Sequence, residues 1–238
     1  MGPGPASGDE NRNLHHYVAT PFSWEGGTTE GSVSIRAAER RGSFAALQDD
    51  KTAALSMTSA LASLLDAYQP PSADEREDVE RLRTLVHDVA DPWTRASPLH
   101  VTGSALVVHP PTRRVLLRWH DRMQAWLQVG GHADPGETDP FEVAIREAQE
   151  ETGLRDLTPW PEKRILQVAV VPVPAGKGEP EHHHGDIRYG LATAEPDNVA
   201  AENEAAALMW LDVDDAIRKV GWDNLRVCLT RIAQVLGT

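Results

Sequence analysis

A single cysteine, Cys228, stands in the 238 residues, which excludes an internal disulfide framework and any zinc site built on paired cysteines. No apolar run approaches the ~18 residues that a membrane span needs. Basic residues are scarce: 23 Lys and Arg stand against 36 Asp and Glu, giving a formal charge of −13 and a pI of about 5.2. Without a Lys/Arg-rich run there is no basic face for a nucleic acid. An anionic small substrate is admissible only where a cation screens the carboxylates. The start, "MGPGPASGDENRN", lacks the basic head and apolar core of a secretory signal. These absences predict a soluble protein in a reducing, cytoplasmic setting. Cys228 itself lies in "NLRVCLTRIAQVL", whose apolar spacing suits a helix, and is expected to be a buried, inert thiol.

What is present divides at about residue 100. Residues 1–13 read as a disordered leader, and 14–50 carry only weak signals. "KTAALSMTSALASLLDAY" (51–68) has a helical apolar stripe through Leu55, Leu61, Leu64 and Leu65. After "QPP", Ser72 and Glu75 form an expected capping box for a second helix with Val79, Leu82, Leu85, Val86 and Val89 on one face. The two predict an antiparallel helix pair, within an N-terminal mainly helical extension over 14–98. From 99 to 238 the texture is mixed. "VTGSALVV", "RRVLLRW", "AWLQV", "RILQVAVVPV", "DIRYGLATA" and "ALMWLDV" read as strands. "PAGKGEPEHHHG" reads as a loop between two of them. Helices are expected at about 140–152, in "VDDAIRKV" and in "NLRVCLTRIAQVL". The pattern predicts an α/β fold, a mixed sheet sandwiched by helices.

The segment most in need of explanation is "REAQEETG", residues 146–153. On a helix, Glu147, Glu150 and Glu151 share one face, where each like-charge pair costs roughly 0.2–0.5 kcal/mol. Asp139 fits the N-cap of that helix, Pro140 its first position and Glu142 the third, a capping box; Gly153 is the stop. Phe141, Ala144, Ile145 and Ala148 form the stripe expected to face the sheet, and the glutamates the side facing "GGHADPGE". Arg146, four residues before Glu150, can hold that carboxylate. Three carboxylates beside an extended loop suit a hard cation with oxygen ligands. The plain alternative is a solvated acidic face.

The longer stretch "GGHADPGETDPFEVAIREAQEETGL", residues 130–154, resembles the signature of the Nudix hydrolases. Gly131, Glu137, Arg146, Glu147, Glu150, Glu151, Gly153 and Leu154 occupy its fixed positions, and Ala148 its first apolar one. Eight residues, where the pattern has seven, separate Glu137 from Arg146. The extra one is expected at Thr138, ahead of the helix, which leaves the reach of Glu137 in question. The resemblance implies the family's α/β/α sandwich over about 100–235. It also implies hydrolysis of a phosphoanhydride in a nucleoside diphosphate linked to another group.

Carried onto this chain, the resemblance implies that Glu147, Glu150 and Glu151, with the carbonyl of Gly130, hold Mg²⁺ or Mn²⁺. Glu137 and Arg146 brace them. The general base is Glu204 on the loop before Trp210, with Glu202 a close second and Glu147 or Glu151 further choices. Arg118 is a candidate phosphate ligand or a surface cation. Trp126 is a candidate nucleotide contact, although a buried strand aromatic is the plainer reading. His132 stands by the phosphates or makes a structural hydrogen bond. "EHHHGDIRY" resembles a His-x-His-x-Asp-x-Arg pattern of some bacterial members through His182, His184, Asp186 and Arg188; solvated loop histidines are the plainer reading there, a zinc site the sharper one. The implied partner is a small nucleotide, with no nucleic acid and no membrane; a homodimer is common among relatives. Two rival classes remain: a sensor on the same fold that binds without cutting, and an isomerase of the isopentenyl diphosphate type. The isomerase needs a catalytic cysteine, and Cys228 is far from the loop in sequence.

Overall fold

The computed structural model describes residues 58–176 and 178–237. The leader, the segment 14–50 and the start of the first helix with Leu55 lie outside the described residues. Helix α1 covers 58–67 of the described chain, and α2 is Ala73–Asp88. Eight strands follow, interrupted by helices. They are β1 (Leu99–His109), β2 (Arg114–His120), β3 (Ala125–Leu127), β4 (Val129–His132), α3 (Pro140–Thr152), β5 (Thr158–Pro159), β6 (Gln167–Val173), β7 (His182–Ala192), β8 (Leu208–Asp212), α4 (Val213–Lys219) and α5 (Asp223–Leu236).

All eight strands form one mixed sheet. β1 runs through its centre, parallel to β7 from Leu99↔His183 to Val108↔Ala192. Its other edge is shared by two antiparallel partners: β4 against Thr102–Ala105 and β2 against Val107–His109. The period-2 alternation of strand side chains divides the interior into two cores. Val101, Ala105, Val107 and Leu116 pack with Leu61, Leu65, Val79, Leu82, Phe141, Ala144 and Ala148, from α1, α2 and α3. Leu106, Val108, Val115 and Leu117 face the other way, onto Val213, Ala216, Leu225, Cys228, Leu229 and Ile232 of α4 and α5. The expected helix–sheet–helix sandwich is present, and Cys228 is fully buried with its thiol pushed up to about 12 by desolvation.

Three local expectations need correction. Ser72 does cap α2, its Oγ accepting from the Glu75 N–H at 3.2 Å, but the Glu75 carboxylate does not turn back to complete a box. It accepts instead from the N–H of Val168 on β6 (2.9 Å) and pairs with Arg231 of α5. Asp78, one turn on, accepts from the N–H of Val170 (3.0 Å). Among the described residues no strand pairs with this edge of β6, and two helix carboxylates cover it. Asp139 likewise caps α3 through the N–H of Phe141 (2.8 Å) while Glu142 turns out to Lys163, so no capping box forms there either. Finally, His182–His184 are not in a loop. They begin β7, paired with β6 from Val173↔His182 inward, and His182 is buried.

Candidate active site

Helix α3 lies across β1 and β4, and its Pro140 carbonyl approaches so closely that a Cβ on Gly103 would fall 2.4 Å from it. Such close packing requires a glycine on β1 and sets the helix face against the β4 glycines. A Cβ on Gly131 would lie 2.7 Å from the Glu147 carboxyl carbon; only glycine lets that carboxylate reach the loop backbone. The N–H of Gly130 donates to Glu151 Oε2 at 3.0 Å.

Arg146 organises the acidic cluster. Its Nε and Nη2 both donate to Glu137 at 2.8 Å, a bidentate pair. Its Nη1 reaches Glu147 (3.0 Å) and Glu150 (3.1 Å), and Nη2 also binds the carbonyl of His132 (2.8 Å). The extra residue in the loop is therefore absorbed before Pro140, and Glu137 keeps its reach. Arg146 holds the Glu137 carboxyl below the usual range, and Glu137 in turn raises the guanidinium. On the far side, Arg118 joins Glu151 (3.2 Å) to Glu202 (3.2 Å).

The three glutamates differ in setting. The Glu147 and Glu151 side chains are 17% and 11% exposed, that of Glu150 55%. Burial raises Glu147, opposed by Arg146. Burial also raises Glu151, to about 7, against the pull of Arg118 and the Gly130 N–H, with Glu147 and Glu202 adding repulsion. Crowded, half-desolvated carboxylates that repel one another despite two arginines are a donor set that fits a divalent cation.

The remaining candidates separate. His132 lines a cavity of about 200 Å³ with Gly130, Gly131, Gln128, His184 and Asp186. The floor is a buried network: Asp186 accepts from Ser104 Oγ (2.9 Å), Gln128 Nε2 (2.9 Å) and Arg188 Nε (2.8 Å). Trp126 packs edge-on against Trp119 and under Lys219. Glu204 is exposed, and among the described residues it has no hydrogen bond or ion pair. Sequence reasoning missed Gln128 and His100. Their signal is positional: Gln128 adjoins the glycine pair, and His100 opens the central strand.

A NUDIX domain model matches residues 98–231, and the chain belongs to the Nudix hydrolase family. A curated relative, the m7GpppN-mRNA hydrolase NUDT17 of Xenopus laevis, is 30% identical over 126 residues, which is 48% of this chain and 42% of the relative. The chain thus spans less than half the length of that relative. Similar solved structures include an Ap4A hydrolase of C. elegans in a binary complex (21% identity, TM-score 0.47, 58% of this chain and 97% of that one). A NUDIX-family hydrolase from Clostridium perfringens is another (24%, TM-score 0.44, 57% and 97%).

Proposed function

We propose that the protein is a metal-dependent pyrophosphohydrolase that cleaves a phosphoanhydride in a nucleoside diphosphate linked to another group. The observation that carries this reading is the pair of carboxylates, half-buried Glu147 and buried Glu151, held against the Gly130–Gly131 backbone by Arg146 and Arg118. A sensor that only binds nucleotide has no need of this crowding, and the buried thiol of Cys228 offers an isomerase nothing.

Glu147, Glu150 and Glu151, with the Gly130 carbonyl, would hold Mg²⁺ or Mn²⁺, which when bound neutralises diphosphate charge and acidifies water. Arg146 orients Glu147 and Glu150, and Glu137 fixes Arg146 in turn. Proton removal from the attacking water falls to a carboxylate of the 200–207 loop, or to Glu147. Glu204 is the position implied by family resemblance; Glu202 has the support of its tie to Arg118 and through it to Glu151. Arg118, now paired with Glu151 and Glu202, would trade a carboxylate for a substrate phosphate, and His132 stands at the cavity wall beside the loop. Trp126 would act through the packing of β3.

The test is a nucleotide panel with Mg²⁺ or Mn²⁺: deoxynucleoside triphosphates, ADP-ribose, dinucleoside polyphosphates, nucleotide sugars, CDP-alcohols and m7GpppN-capped RNA. At least one should yield a nucleoside monophosphate or phosphate. Glu150→Gln and Glu151→Gln should each slow it by about 100-fold or more, roughly 2.7 kcal/mol of barrier. Full turnover in both variants would refute the assignment.

A further inference from the structure

Four histidines from three strands meet beside the glycine loop: His100 on β1, His132 on β4, and His182 and His184 on β7. The sequence reading named His132 and the β7 pair separately, placed the pair in a loop, and did not name His100. The parallel register of β1 and β7, His100↔His184, brings the first strand's histidine to them. One nitrogen from each of His100, His182 and His184 lies within 4.8 Å of the other two. His132 adjoins the set, its Nε2 3.0 Å from that of His100.

The protonation pattern suits a metal. A carbonyl oxygen can only accept, so His100 Nδ1, 3.0 Å from the Ser97 carbonyl, carries its proton there. His182 Nδ1 does the same at the Pro180 carbonyl, 2.8 Å away. In its neutral form each ring then presents an Nε2 lone pair to the cluster, the orientation that backbone carbonyls impose on ligating histidines. One separation agrees as well. Tetrahedral bonds of about 2.05 Å put ligand nitrogens roughly 3.3 Å apart; His182 and His184 have Nε2 atoms 3.2 Å apart.

We propose that His100, His182 and His184 form a second metal site, separate from the carboxylates and selective for an imidazole-preferring dication such as Zn²⁺. His132 is positioned to close the fourth place. Imidazole ligands favour zinc over magnesium, whereas the carboxylate cluster has the reverse preference. The site sits between two cavities: His132 and His184 line the larger, His100 and His182 a smaller one of about 120 Å³ with Glu179 and Glu181. An ion there ties β1 to β7 and, through His132, steadies the loop whose carbonyl Arg146 holds.

The experiment uses untagged full-length chain stripped with a chelator, without substrate and in excess Mg²⁺. One equivalent of Co²⁺ should give the intense visible absorption of a tetrahedral nitrogen site, and Zn²⁺ should abolish it by displacement. The thermal midpoint should rise by several degrees with one equivalent of Zn²⁺. The absorption should persist in the Glu150→Gln/Glu151→Gln double variant and be lost in His100→Gln and in His182→Gln. A weak octahedral cobalt spectrum in the unaltered protein would overturn the proposal, with no variant needed. So would an absorption that vanishes with the glutamates and survives the histidine changes. Neither result bears on nucleotide turnover, so this site and the hydrolase reading fail separately.

Discussion

At the scale of single residues, the two loop glycines do different work. A Cβ on Gly131 meets only the mobile end of Glu147, and the backbone there is unstrained for other residues. Gly131→Ala should therefore keep its thermal midpoint within a few degrees while losing turnover on the order of 10²-fold, because Glu147 must move. Gly130 has φ +142°, and a Cβ there would fall 2.3–2.6 Å from Ser104 and the Gly103 carbonyl. Gly130→Ala should lower the unfolding free energy by roughly 2–4 kcal/mol, read by urea denaturation. Glu151 gives a pH signature. Its proton leaves the unfolded chain near 4.5 and the folded, metal-free protein near 7. Between those values the fold holds a proton that the unfolded chain has lost, so this contribution to stability falls as pH rises through the window. Metal-free protein should gain stability relative to Glu151→Gln when acidified from about pH 8 to about pH 5.5. An unchanged difference between the two would contradict the raised value.

Among elements, α2 is joined to the family domain by more than apolar contact. Glu75, 4% exposed, serves Val168, Arg231 and Tyr68 at once. Glu75→Ala leaves a guanidinium and a strand N–H unpaired and should cost about 3–5 kcal/mol in chemical denaturation. A loss below ~1 kcal/mol would mean that water replaces the carboxylate. Elements set by local chemistry were legible in the sequence. Helix α3 starts at Pro140 and ends before Gly153 as the cap, proline and glycine require, and β1, β2, β6 and β8 fall within a few residues of their apolar runs. What depends on distant partners was not. Glu75 satisfies the N3 position of a capping box, and nothing nearby reveals that β6, some ninety residues on, offers it better donors. The triple histidine has a loop's polarity, and becomes a strand because β1 and β6 pair with it on either side.

For the molecule as a whole, the charge of −13 and the proposed anionic substrate are compatible only if cations mediate between them. The glutamates of the proposed metal site were legible because their spacing is written within one helix. Arg118 and Glu202 were named through the family resemblance and His100 was not; their pairings, separated by 33, 84 and 32 positions, are what a single sequence does not record. Among the described residues no helix is long and apolar enough to cross a membrane. The central claim is most directly tested by anomalous scattering from crystals grown with Mn²⁺ and a non-hydrolysable dinucleoside polyphosphate. A manganese peak bounded by Glu147, Glu150, Glu151 and the Gly130 carbonyl, touching the ligand's phosphates, is the predicted result. Ordered nucleotide in the cavity with those carboxylates splayed apart and no metal between them would contradict it.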